Sequence, residues 1–346
     1  MARLNGTEEV RKLQATGGST FTMSIPKAWV IQHGLSARDS LKVDWRPSGA
    51  LRITPLNQSI QPTLKSIFNF ESLPENSLHD HLMGAYIAGA DTIRIDCKSE
   101  HVKTMKLQLR RFLRSTRGFE IIEEKDTGVL LRCLINSGDL PLHSSLNRMY
   151  LLLSSLVRDF VDVFESGDVT FVSDVAERES EVDALLYLIE RQIRAMLHSV
   201  EVASRLNVER AVGLEYANLA KSLERMMDHA QTMVQFYLNE KVKNKKLLEP
   251  LFVDLIPKWQ VSLKELMINI RTRDSERIEV ARTTLKQLQI GVDEFRQVCL
   301  TKNIQRSELV LVLQLGDSIR RMCAYGRDFG EALLNLKVGA DLVRKS

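Results

Sequence analysis

From Ser145 onward, over more than half of the 346-residue chain, apolar residues recur three and four positions apart. One series runs Val182, Leu185, Leu186, Ile189, Ile193, Met196, Leu197, Val200. A second runs Val208, Ala211, Val212, Leu219, Leu223, Met226, Met227, Ala230, Met233, Val234. A 3.6-residue period lines such residues along one side of a helix. The spacing predicts six helices at about 144–166, 170–204, 207–241, 248–272, 275–302 and 305–342. The polar run Lys243 to Lys246 and Pro250 separate the third from the fourth. Long amphipathic helices joined by short turns bury their stripes against one another, so an antiparallel bundle follows. Three helices on each side of the break imply a duplicated three-helix unit.

The preceding residues have a different texture. A short strand is expected over Glu9–Gln14, then a Thr16-Gly17-Gly18-Ser19 turn. A second strand carries Phe21, Met23 and Ile25 on one face. Pro26 suits the first position of a short helix over Lys27–His33, and Gly34 suits its left-handed cap. Two more strands flank Pro47-Ser48-Gly49. After a linker at Pro55–Ser59 comes a strand over Thr63–Phe70, a helix over Asn76–Ala90 and a strand over Asp91–Cys97. A helix over Ser99–Ser115 follows, with Ser99 as N-cap, and then a hairpin of Gly118–Glu124 and Val129–Leu134. The chain is therefore multidomain and mainly α: residues 1–58 form a small β module, 59–142 an α+β unit of order βαβαββ, and 143–346 the bundle.

Charge divides along the same lines. Residues 1–58 carry Arg3, Arg11, Lys12, Lys27, Arg38, Lys42, Arg46 and Arg52 against Glu8, Glu9, Asp39 and Asp44, which accounts for the whole formal excess of +4. A basic module of this kind fits phosphate groups or, on charge alone, a solvated surface. The basic run from Lys103 to Arg117 reads as a solvated face, because residues 59–143 hold as many acids as bases.

No apolar run approaches the roughly 20 residues of a membrane span, so no membrane insertion is expected. Met1–Gly6 lacks the apolar core of a signal peptide. Cys97, Cys133, Cys299 and Cys323 are far apart and fit reduced thiols in a cytoplasmic protein. No H-E-x-x-H, Walker A or G-x-G-x-x-G pattern occurs, so no enzyme is expected.

Two acidic pairs share one spacing. Glu179 and Asp183 lie in V-A-E-R-E-S-E-V-D-A-L-L, and Glu224 and Asp228 in K-S-L-E-R-M-M-D-H-A. Four residues on a helix bring both carboxylates to one face, here beside the apolar stripe. Carboxylates at a core edge need partners. A metal cation is one and a neighbouring Arg or Lys is another, while pairs at this spacing are also common on solvated faces.

Two resemblances extend this reading. The order strand, turn, strand, short helix, hairpin, with S-I-P-K at the helix start and H-G-L-S-A-R-D-S-L at its exit, resembles the AbrB/SpoVT/MazE swapped-hairpin family over roughly the first 55 residues. That resemblance implies a homodimer that binds DNA, with Arg11, Lys12, Lys27 and Arg38 as candidate contacts beside the turn and the helix. The texture E-R-E-S-E-V-D-A-L-L-Y-L-I-E-R-Q, followed by L-E-R-M-M-D-H-A, resembles the PhoU family from Ser145 to about Asp341. It implies two three-helix repeats and a divalent or ferric metal ion on Glu179, Asp183, Glu224 and Asp228. Glu179 stands where that family often has Asp. In the second repeat, Gln289 precedes Asp293, while Arg320 and Ala324 replace the acids of the sixth helix. A guanidinium repels a cation, so the second cluster is expected to be lost or reduced, with Arg320 and Arg321 paired to acids.

The combination resembles the archaeal type of phosphate-uptake regulator: a DNA-binding transcriptional regulator with a metal-binding bundle, whose further partners would be a phosphate ABC transporter or its signalling proteins. One alternative is a transporter adaptor whose first domain only dimerises. Another is a carboxylate-metal bundle enzyme, although no Glu here is followed by His three positions later.

Overall fold

The computed structural model describes residues 9–18, 20–45, 49–56, 64–239 and 245–342. The chain divides into two compact units, Met1–Thr63 and Leu64–Ser346. Ser19 of the first expected turn, Pro47-Ser48 of the second, linker residues 57–59, and Lys243 and Asn244 of the polar run lie outside the described residues.

In the first unit β1 (Gln14–Thr16) pairs antiparallel with β2 (Thr20–Thr22) across a turn in which Gly17 takes φ +63°. The expected strand over Glu9–Gln14 is corrected: only Gln14 belongs to it. A strand needs a ladder partner, and the turn registers Gln14–Thr16 alone against Thr20–Thr22. Helix α1 (Lys27–Gln32) starts one residue after Pro26, which is the N-cap with ψ 127° rather than the first helical residue. Its exit is a glycine cap: Gly34, at φ +58°, donates to the Ile31 carbonyl and Leu35 to the Val30 carbonyl, both at 3.0 Å. Strands β3 (Leu41–Trp45) and β4 (Leu51–Pro55) form the second hairpin, with Leu41 opposite Pro55. Among its described residues this unit has no core of its own. Pro55 is its one buried described residue, while Val10, Phe21 and Val43 are exposed and Trp45 is 86 % exposed.

The second unit opens with the expected βαβαββ order: β5 (Lys65–Asn69), α2 (Leu78–Ile87), β6 (Thr92–Asp96), α3 (Val102–Ser115), β7 (Phe119–Lys125) and β8 (Gly128–Cys133). The sheet order is β5-β6-β8-β7, with β5 parallel to β6 and the other pairs antiparallel. Alternation buries Ile93, Ile95, Val129 and Leu131 under Leu82, Tyr86, Met105, Leu109 and Phe112 of the two helices. Ser99 is not the cap of α3. Ser99–His101 forms a 3-10 turn, and the helix starts after it without a side-chain cap.

The bundle contains α4 (Leu142–Ser166), α5 (Val175–His198), α6 (Val200–Leu206), α7 (Arg210–Asn239), α8 (Ile256–Thr272), α9 (Ser275–Thr301) and α10 (Arg306–Asp341). The second expected helix is broken. Ser199 takes extended angles (φ −119°, ψ 123°), and its side chain accepts from the Val202 N–H at 3.3 Å to cap α6. The fourth begins with a π-helical turn over Pro250–Leu255, a wide turn that carries the chain to Pro257, which has no N–H to donate. A single apolar core runs from Leu142 to Leu336 through all these helices. Cys97, Cys133, Cys299 and Cys323 are free thiols. Among the described residues no helix is long and apolar enough to cross a membrane.

Helix α5 also anchors the α+β part of this unit. The Arg191 side chain, 3 % exposed, donates to the Tyr86 carbonyl at 2.8 Å. Its guanidinium lies over the Tyr86 and Phe119 rings, 5.1 and 5.6 Å from their centroids. Its neighbour Gln192 is fully buried and donates to the Ser137 and Leu140 carbonyls at 2.9 and 2.6 Å.

Candidate metal centre

Glu179, Asp183 and Tyr187 succeed one another at intervals of four on α5, so they share a face. On α7, Glu224 and Asp228 do the same. The buried residues Val182, Leu186, Leu223 and Met227 back both rows. At one end Lys221 of α7 pairs with Glu190 of α5 at 3.3 Å, which sets the two helices against each other. The structure brings Glu179, Asp183 and Asp228 together, with one oxygen of each within 4.8 Å of the others. Glu224 is outside that trio, one turn away on α7, and interacts with Asp183 and Asp228 through charge.

All four carboxyls are half-buried. Desolvation is the main cause that raises each of them, and mutual repulsion adds to it for Glu179, Asp183 and Glu224. Asp183 and Glu224 are pushed up to about 7. Among the described residues no Lys or Arg forms an ion pair with any of the four. Their sequence neighbours contrast with this. Arg178 pairs with Asp159 and Asp174, and Glu181 with Arg148 and Arg117. Acids left facing one another at a core edge fit a cation with oxygen ligands.

Sequence reasoning missed Tyr187. It packs against the core of the α+β part and feels Asp183, Glu224, Glu190 and Glu179, with burial pushing its hydroxyl up to about 12. The available signal was its place one helical turn after Asp183.

The corresponding place in the second repeat is built differently. Arg320 Nε of α10 donates to Asp293 Oδ2 of α9 at 3.2 Å. Gln289 Nε2 donates to the Arg320 carbonyl at 3.3 Å, and Gln289 Oε1 accepts from Arg327 at 3.0 Å. Arg321 donates to Asp317 at 2.9 Å. The expected pairing of Arg320 and Arg321 with acids is what the structure contains, and Ala324 offers no oxygen ligand.

In the first unit Arg11, Lys12, Lys27 and Arg38 are all exposed. Arg11 pairs with Glu9. Lys27 begins α1, and Arg38 lies in the turn after it at φ +80°, where Asp39 Oδ2 accepts from the Ser36 N–H at 2.7 Å. No described contact joins the four to one another.

Two stretches of the chain match known families. Residues 146–236 match the PhoU domain, which spans α4 to α7 and both acidic rows. Residues 14–61 match the family described as antidote-toxin recognition MazE, bacterial antitoxin. No curated protein matches the chain. The chain thus joins a segment similar to the MazE/AbrB-like module to one similar to the PhoU domain, an architecture that fits a regulator of phosphate homeostasis of the PhoU type.

Proposed function

We propose that this protein is a non-catalytic regulator of phosphate uptake that binds DNA as a homodimer and holds a metal ion on its first helical repeat. One observation carries the metal assignment. Glu179, Asp183 and Asp228 offer oxygens within 4.8 Å of one another, and no described basic side chain pairs with them. A divalent or ferric ion would remove their mutual repulsion, with Glu224 as a fourth donor from the adjacent turn. Analysis of metal in the purified chain, with Asp228→Ala as control, tests this. Bound metal in the parent and its loss in the variant are expected. Equal metal content in both, or none in either, rejects the site.

The DNA reading is supported by the family match of the first unit and by its exposed Arg11, Lys12, Lys27 and Arg38. Its exposed apolar side chains support pairing with a second copy, since a module of this size buries too little surface alone. A gel-shift assay on promoters of phosphate-transport genes is the direct check. Arg11→Ala with Lys12→Ala is expected to weaken binding and flatten its salt dependence.

A second reading keeps the bundle as an adaptor for a phosphate transporter or its signalling proteins, with the first unit serving dimerisation only. The engagement of Arg11 by Glu9 favours it. DNA binding that is unchanged in the double variant retires the proposed surface, and an absence of DNA binding selects the adaptor.

A further inference from the structure

Three arginines line the seam between α9 and α10, and two of them meet at Asp293. Arg320 Nε donates to Asp293 Oδ2 at 3.2 Å, and Arg296 Nη1 stands 3.6 Å from Asp293 Oδ1. Two turns further along α10, Arg327 Nη1 donates to Gln289, which lies one turn from Asp293 on α9, at 3.0 Å. Asp293 is the one carboxylate within these contacts. Asp328 lies near Arg327, but it is shared with Arg225 and Arg282.

A guanidinium carries five N–H donors. The hydrogen bonds described for these three side chains use one donor of Arg320 and one of Arg327. Arg296 makes none among the described residues, and its Nε is buried without a partner. The site is also shaped by the backbone. Gly316 of α10 is buried against the Arg296 stem, and a Cβ there would lie 2.9 Å from Arg296 Cδ. A side chain at position 316 would push that stem away from the seam. Gln289 ties the two helices together by donating to the Arg320 carbonyl while accepting from Arg327.

We propose that this seam of the second repeat binds a phosphate-bearing anion. Planar guanidinium forks match the oxygens of a tetrahedral phosphate, and Arg296 of α9 and Arg320 of α10 already reach one carboxylate from the two helices. Inorganic phosphate and the phosphate groups of a polyphosphate chain share this chemistry. The inference goes beyond the metal and DNA assignments and does not depend on either.

Calorimetric titration of the full chain with inorganic phosphate, and separately with a short polyphosphate, tests it. Saturable binding of at least one of them is expected, and the tighter ligand identifies the source. Arg296→Gln with Arg320→Gln is expected to weaken binding about ten-fold or more, from the loss of charge-assisted hydrogen bonds. Asp293→Asn keeps the guanidiniums and removes the competing carboxylate, and several-fold tighter binding is expected. Asp228→Asn in the first repeat should leave the affinity unchanged. No saturable binding with either anion overturns the proposal, as does undiminished affinity in the arginine double variant or weaker binding in Asp293→Asn. Loss of binding in Asp228→Asn would place the anion on the first repeat and equally overturn it.

Discussion

The imidazole of His229 stacks on the ring of Tyr325, with centroids 5.8 Å apart and planes inclined by 23°. These residues close matching stretches of the two repeats, Leu223-Glu224-Arg225-Met226-Met227-Asp228-His229 on α7 and Ile319-Arg320-Arg321-Met322-Cys323-Ala324-Tyr325 on α10. Arg225 lies 5.4 Å from the Tyr325 centroid, and its counterpart Arg321 donates to Asp317 and interacts with the same tyrosine. Burial and the Arg321 charge both disfavour protonation of His229. The duplicated motifs therefore meet at their own ends. A double-mutant cycle with His229→Ala and Tyr325→Ala should give a coupling of about 1 kcal/mol in urea unfolding. Strict additivity would mean that the stack contributes nothing between the repeats.

The acidic face predicts an unusual pH dependence. The carboxyls of Asp183 and Glu224 are raised to about 7 in the folded chain, whereas in an unfolded chain they ionise near pH 4. Between those values the folded state holds more protons. Their contribution to stability is fully present below about pH 4 and is lost as pH rises through 7. In metal-free protein, Asp183→Asn with Glu224→Gln should therefore raise the melting temperature at pH 8 more than at pH 5. Saturating metal should reverse the order at pH 8. Melting curves at the two pH values, with and without metal, decide it.

At the α5 anchor, Arg191→Met should destabilise the second unit by about 2–3 kcal/mol, the range for a buried hydrogen bond from a charged donor. Arg191→Lys keeps the charge but loses the planar contact with the Tyr86 and Phe119 rings, and is expected to recover only part of that loss. Hydrogen exchange over Tyr86 to Thr92 provides the local readout. Unchanged protection there would remove the anchoring role.

The first unit predicts its own assembly. Val43 is exposed on β3 and Trp45 ends that strand at 86 % exposure. Val43→Glu with Trp45→Glu should convert the proposed dimer into monomers in sedimentation and abolish any DNA shift with it. A dimer that survives both changes would locate the contact elsewhere.

The two repeats should also separate under metal. Anomalous scattering from metal-soaked crystals should place a cation beside Asp228 and none beside Asp293, which already accepts from Arg320. Equal occupancy at the two positions would contradict the exchange of carboxylate for guanidinium.

Much of the fold was legible in local pattern. The βαβαββ order follows from alternation in Asp91–Cys97 and helical spacing around it, and the glycine cap at Gly34 from residue type. The break at Ser199 was not legible, because the apolar series continues through it as Met196, Leu197, Val200. Nor was the length of β1, since a strand exists only through its partner. At the candidate site, the E-x-x-x-D spacing put each pair of acids on one helix face, as α5 and α7 do, yet Tyr187 passed unnoticed because an aromatic at helical spacing is indistinguishable from ordinary core.

The sequence alone determined which residues share a helix face and that the second repeat carries arginine where the first carries acid, because both are matters of period and side-chain chemistry. Tertiary structure decided which acids are neutralised. Asp174 and Glu179 lie on the same stretch of chain, but Arg178 reaches Asp174 and Asp159 while Glu179 faces Asp183 and Asp228. Whether a carboxylate meets a cation depends on the facing helix, and that helix is set by how the apolar stripes pack.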